Sequence, residues 1–163
     1  MVTIQGERTV SLLVSDRLVR ATVFGLTALL IVFTWGIAGA GKLASGGVPD
    51  WFTEQFGKTF LASFPGLAAS FYSIAILETI AALAAVGSLV SGEPFRGRSP
   101  SLLYAALLLS LLTFVQLNFG KQLLGDFDGV HDLFMYFAGT LVMLAAVRSL
   151  DMPRAADVPG AQR

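Results

Sequence analysis

The chain has 163 residues, 55% of them hydrophobic and only 13% charged, with a formal net charge of zero and a mean hydropathy of +0.72. That is too apolar for an ordinary soluble domain of this length and assigns the chain to a lipid bilayer. The absence of cysteine excludes thiol–disulfide electron relays, iron–sulfur ligation and Cys-rich zinc sites, and a single histidine excludes a bis-histidine haem. No nucleotide-binding glycine loop and no basic stripe suited to nucleic acid is present.

Four apolar stretches follow one another, at about 21–40, 66–90, 101–119 and 130–149, each near the roughly 20 residues a helix needs to cross the hydrocarbon. They predict an all-α integral membrane four-helix bundle forming a single domain over 1–163, with polar tails at 1–20 and 151–163. The first stretch imitates a cleavable signal peptide, with Arg17 and Arg20 before it and Ala38-Gly39-Ala40 at its end. Its apolar run is longer than a signal core, however, and some twenty mostly polar residues precede it, so it reads as a retained span.

The segment 41–64 is long for a plain connector and carries "VPDWFTEQFGKTFLASFPG". Phe52, Phe56, Phe60 and Phe64 recur at i+4, Pro49 suits a first helical turn and Asp50 suits the positive end of a helix dipole. The pattern predicts a short amphipathic helix lying in the outer interface or dipping back between the transmembrane helices, a lid over the mouth of the bundle with Trp51 at headgroup depth. Gly57 weakens it, and an irregular aromatic loop is the plainer alternative.

Glu78 stands near the middle of the second span, where a charged side chain costs at least ~2.5–3.5 kcal/mol. It must face the bundle interior, with Thr34, Thr113 and Gln116 as expected hydrogen-bonding partners. Two roles stay open for it: a proton-handling or ligand-binding carboxyl, or a neutral Glu that fastens one helix to another. Short matches, "LAAVGSL" (83–89) with "LAAVRSL" (144–150) and "GKLASG" (41–46) with "GKQLLG" (120–125), suggest two parallel helical hairpins. In an alphabet so rich in Leu and Ala, chance explains them equally well.

The decapeptide "GDFDGVHDLF" (125–134) gathers three aspartates and the single histidine in a region read as a second outer loop, 120–129. The simplest reading is a helix start, with Asp128 as N-cap of a helix beginning near Gly129, Asp132 in its first turn and His131 in outer water. A divalent-ion site built on Asp126, Asp128 and His131 is the sharper alternative, although the spacing matches neither an EF-hand loop nor a zinc helix. A polar contact of this cluster with a partner or headgroup is the third.

Arg8, Arg17, Arg20, Arg96, Arg98, Arg148, Arg154 and Arg163 fall on one side of the four spans, and Lys42, Lys58 and Lys121 on the other. Basic residues are retained in the cytoplasm, so both termini are expected there and the segments 41–64 and 120–129 outside.

Arg20, the first span closing in "GIAGAGKLASGG" (36–47), Pro65, Glu78 and the tail "AALAAVGSL" together resemble the DoxX family and its relative MauE, over about residues 17–150. These are small four-helix bacterial membrane proteins associated with thiosulfate oxidation to quinone, methylamine electron transfer or oxidant-defence complexes. Two family features carry over directly, onto Gly39-Ala40-Gly41-Lys42 and onto Glu78. The resemblance implies a multi-pass protein of the bacterial cytoplasmic membrane, a subunit of a quinone-linked electron-transfer assembly with a membrane or extracytoplasmic redox partner. On that basis the outer half of the bundle is expected to accept a quinone or similar amphiphile. Glu78 would exchange a proton, Lys42 and Gln116 would contact a carbonyl or anion, and Trp51, Phe52 and Phe56 would wall the entrance. No metal is implied, and a homo-oligomer is left open. The competing class is a non-catalytic membrane scaffold that docks a partner protein.

Overall fold

The computed structural model describes residues 3–63, 66–96 and 99–151. Phe64, Pro65, Arg98, Arg154, Arg163 and the side chain of Arg8, named above, lie outside the described residues. Among the described residues six α-helices are present: α1 (Thr3–Ile31), α2 (Ile37–Ala44), α3 (Asp50–Phe56), α4 (Gly66–Val90), α5 (Ser101–Leu124) and α6 (Phe127–Asp151). A π-helical turn, Val32–Gly36, joins α1 to α2, and a 3₁₀ turn, Phe60–Ala62, follows α3. No strand occurs among the described residues.

Ile31 and Ile37, on either side of the π turn, keep right-handed helical dihedrals, so α1, the turn and α2 form one continuous rod. Among the described residues four segments are long and apolar enough to cross a membrane: Asp16–Ala44, Gly66–Val90, Ser101–Leu124 and Phe127–Asp151. Their surface distribution is what a bilayer selects. The exterior carries Leu26, Leu30, Phe33, Leu83, Leu108, Leu112 and Val142, all exposed, while the interior holds Thr27, Ala28, Ala81, Ala85, Ala106, Ser110 and Thr113. Lipid accepts large apolar groups, and small or hydroxylated residues let helices approach closely.

The helices extend beyond their apolar letters. α1 begins at Thr3, inside the segment read as a polar tail. The segment 120–129, read as an outer loop, is helical except for Gly125 and Asp126. Gly125 adopts a left-handed φ of 67°, its N–H reaches the Gln122 carbonyl at 3.1 Å and the Asp126 N–H reaches Lys121 at 3.1 Å. This Schellman closure ends α5 with two carbonyls satisfied, and a residue with a Cβ is strained there. Polar letters at 121–128 therefore mark a tight helical corner.

α4 lies at the centre, packed against the α1–α2 rod on one side and α5 on the other; α6 packs on α5 and meets α1 only sparingly. The buried core of Phe24, Ala28, Ile31, Trp35, Ala81, Ala85, Leu103, Leu107 and Phe114 fills the space between rod, α4 and α5. Trp35 sits in the π turn, donates its indole N–H to Ser110 Oγ at 2.8 Å and stands 4.8 Å from the Phe114 ring. At one end of the bundle, α3 lays Phe52 and Phe56 against Phe71 of α4.

Candidate functional site

Gly39 brings α2 onto α4 at close range. A Cβ at this position would stand 2.7 Å from Thr79 Oγ1, 3.0 Å from the Thr79 backbone nitrogen and 3.2 Å from Glu78 Cβ. Lys42, one turn further along the same face of α2, is thereby carried within reach of Glu78. Its ammonium donates to Glu78 Oε1 at 2.8 Å and Oε2 at 2.9 Å. Glu78 is 1% exposed, whereas the Lys42 side chain keeps 22% exposure.

Helix lengths explain how a residue near the end of one span meets the midpoint of another. From Gly39 the rod continues only to Ala44, about 8 Å, whereas α4 runs from Glu78 to Gly66, about 18 Å, at 1.5 Å per residue. The rod stops roughly two turns short, and α3 occupies the end of the bundle above it.

Under α3 lies a cavity of 430 Å³ walled by Trp51, Phe52, Gln55, Phe56, Gln116, Gly120, Lys121, Asp132 and Tyr136, with Lys42 on its lining. The five residues expected to contact a ligand, Lys42, Gln116, Trp51, Phe52 and Phe56, thus share one cavity, with Glu78 held behind Lys42. Phe52 and Phe56 are buried, Trp51 is half-exposed and edge-on to Phe52 at 5.5 Å, and Gly57 ends α3, so the i+4 run breaks. Phe60 faces outward, 6.2 Å from the Phe119 ring. Pro49 precedes α3 in extended conformation, and its carbonyl accepts from Phe52 and Thr53.

A second, apolar cavity of 660 Å³ runs where α6 fails to close on the rod, between Leu30, Ile31, Thr34 and Trp35 on one side and Met135, Tyr136, Gly139, Thr140 and Met143 on the other. Leu117, Leu133 and Tyr136 line both cavities, so the two adjoin.

The partners expected for Glu78 are engaged elsewhere. Thr113 Oγ1 donates to the Leu109 carbonyl at 2.9 Å, Gln116 donates through Nε2 to Ser73 Oγ, and Thr34 lines the apolar cavity. Sequence reasoning treated Lys42 as an outer-face contact residue and missed it as the counter-ion. The signal was available: a buried acid that keeps its charge needs a base, and Lys42 follows a glycine at the i+3 spacing that puts both on one helix face.

The decapeptide resolves into a cap two residues earlier than expected. Asp126, not Asp128, is the N-cap of α6: its Oδ1 accepts from the Gly129 N–H at 3.0 Å, while Oδ2 pairs with Lys121 Nζ at 2.6 Å. The Lys121 hydrogen bond, followed by that of Gly129, holds the Asp126 carboxyl below the usual carboxylate range. A Cβ at Gly129 would crowd Asp126 Oδ2 and the Lys121 stem, so the small residue keeps room for the pair. Asp128 is exposed in the first turn, and His131 and Asp132 lie side by side at 3.8 Å, both largely exposed. Among the described residues, no three His, Asp or Glu side chains gather where they could hold a metal ion.

None of the protein-family models, curated protein sequences or solved structures compared with the chain matches it.

Proposed function

We propose that the chain is the multi-pass membrane subunit of a quinone-linked oxidoreductase of DoxX type in a bacterial cytoplasmic membrane, with the α3 end outside. One observation carries this reading: a buried Glu78 paired with a part-buried Lys42 that lines an aromatic-walled cavity. A lysine ammonium has three N–H donors. Two go to the Glu78 carboxylate, and the third is available to a ligand oxygen such as a quinone carbonyl. Trp51, Phe52 and Phe56 offer the flat apolar walls that a ring requires, and the adjoining groove between rod and α6 gives a long apolar tail a route to the lipid.

Reduction of a quinone to a quinol takes up two electrons and two protons. A chain without cysteine and with one histidine has no resident group to carry the electrons, which therefore come from a redox centre of the partner protein. Lys42 hands one proton to the nearer carbonyl oxygen, the second comes from water at the cavity mouth, and the partly exposed ammonium recovers its proton from the same side. Glu78 keeps Lys42 oriented and balances its charge inside the bilayer.

Supporting this orientation are Arg17, Arg20, Arg96 and Arg148 at the end remote from α3, against Lys42, Lys58 and Lys121 near it. In whole cells an impermeant thiol reagent should label Ser45→Cys and spare Ser91→Cys, and the opposite pattern reverses the topology. For the function, gentle detergent extraction should recover a quinone with the wild-type chain by mass spectrometry. Glu78→Gln, at normal abundance, should lower quinone-linked activity of the parent assembly at least tenfold. A fully active Gln variant, or stoichiometric recovery of a partner protein with no small molecule, would leave the pair as a helix tie and the chain as a scaffold.

A further inference from the structure

At the end of the bundle remote from α3, residues far apart in sequence build a third cavity, of 310 Å³, from Arg17 and Arg20 of α1 and Pro94, Phe95 and Arg96 of the α4–α5 connection. Gly92, with a left-handed φ of 71°, closes α4 as the Glu93 N–H reaches the Ser88 carbonyl, and the Arg96 guanidinium folds back over Gly92. Glu93 then caps α5, accepting from Ser101 Oγ, the Leu102 N–H and the Leu103 N–H. Arg96 is thus presented by a fixed turn, and Arg20 by its bond to Asp151 at 3.0 Å and its stacking over Phe24.

The carboxylates around this cavity are engaged. Asp151 also accepts from Ser99 and Tyr104, and Glu93 faces the α5 terminus. Asp16 already has an interaction of its own. Among the described residues, neither Arg17 nor Arg96 pairs with a carboxylate, and both are exposed. Beside them Leu18 (66%), Val19 (48%) and Phe95 (75%) present apolar surface outward. Cations converging on a cavity whose flank is greasy match a phosphodiester with acyl chains attached.

We propose that Arg17, Arg20 and Arg96 form a binding site for the phosphate of an anionic phospholipid at the arginine end of the bundle. The guanidinium groups hold the headgroup oxygens, and the acyl chains descend along Leu18 and Val19. The site is independent of the quinone reading and survives its failure. A soluble phosphate shares the headgroup chemistry but has no use for the apolar flank, so the proposal commits to the lipid.

The test is native mass spectrometry and thermal unfolding of the full chain in detergent, with phosphatidylglycerol, phosphatidylcholine or inorganic phosphate added separately. Phosphatidylglycerol should be retained and should raise the midpoint of unfolding; phosphatidylcholine should do neither. Arg17→Gln and Arg96→Gln, which leave the Arg20–Asp151 bond in place, should each weaken retention about fivefold and together about thirtyfold. A double control, Lys58→Gln with Arg148→Gln, removes the same charge outside the cavity and should retain the lipid. Equal loss in that control, equal retention of phosphatidylcholine, or stabilisation by millimolar inorganic phosphate alone would overturn the proposal.

Discussion

Among the described residues, two acid–base pairs tie the first rod to the rest of the bundle, and they are built on opposite principles. Near the arginine end, Asp151 accepts from Arg20 at 3.0 Å, from Ser99 at 3.0 Å and from Tyr104 at 3.3 Å, so three groups from α1, the α4–α5 connection and α5 converge on one carboxylate of α6. Near α3, Glu78 is more deeply buried, yet among the described residues it takes hydrogen bonds from Lys42 alone. A carboxylate surrounded by donors is a lock, since losing any one partner leaves others. A carboxylate with a single partner, itself on a cavity lining, depends wholly on that partner. Burial alone thus does not describe the two pairs; they differ in the number of donors each carboxylate has among the described residues.

The largest effect that can break this comparison comes from removing each base. Lys42→Met leaves an uncompensated acid inside the bilayer and should cost about 3–5 kcal/mol, whereas Arg20→Met leaves Asp151 with Ser99 and Tyr104 and should cost about 1–3 kcal/mol. Unfolding of the two variants in one detergent decides it, and equal losses would erase the distinction. Pairing Lys42→Met with Glu78→Leu should recover most of the stability, because the stranded charge is gone.

A smaller effect is expected from separating the helices. Gly39→Ala places a Cβ against Thr79 and Glu78 and should cost about 1–3 kcal/mol as α2 is pushed outward. The same change should weaken quinone retention, since it moves Lys42 off Glu78, while a variant that is destabilised but binds normally would show the pair to be only a tie.

Acid sharpens the contrast outside the bilayer. Burial works against the Glu93 charge, but its hydrogen-bond donors, the Leu102 N–H foremost, outweigh it and hold the carboxyl below its ordinary 4.5. A depressed folded-state value gives stability that is complete above pH 4.5 and is lost as the pH falls through the lower folded value. Glu93→Gln should flatten that part of an unfolding profile taken from pH 7 to pH 3. An unchanged slope would assign the acid sensitivity elsewhere.

The smallest effect concerns the start of α6. Asp126→Ala should lower stability measurably and Asp126→Asn hardly at all, because an amide oxygen still caps Gly129. Asp128→Ala should do less than Asp126→Ala, and the reverse order in thermal unfolding would restore the cap to position 128.

The spans were legible because a bilayer demands some twenty apolar residues in a row and the sequence supplies them four times. The polar corner at 125–126 was not, because a Schellman closure and an N-cap on consecutive residues use the same letters as an irregular loop. Trp51, Phe52, Phe56, Gln116 and Lys42 were legible as a group since each stands at or near a span end on the α3 side. The partner of Glu78 was missed for a different reason. Depth along a span was judged from position within each helix separately, and the rod and α4 end at different heights.

The π turn at Val32–Gly36 has a further implication. A turn that holds one residue more than the helix around it behaves as a single-residue insertion, and each residue advances a helix by about 100°. Everything after Gly36 is rotated by that much against the register set by α1. Gly39 and Lys42 face α4 because of a change in length seven or so residues upstream, not because of the letters they carry. Deleting one residue from 32–36 would leave both in the sequence and swing the ammonium away from the carboxylate. A relative aligned to this span without a gap could therefore show both residues in their proper columns and still lack the pair.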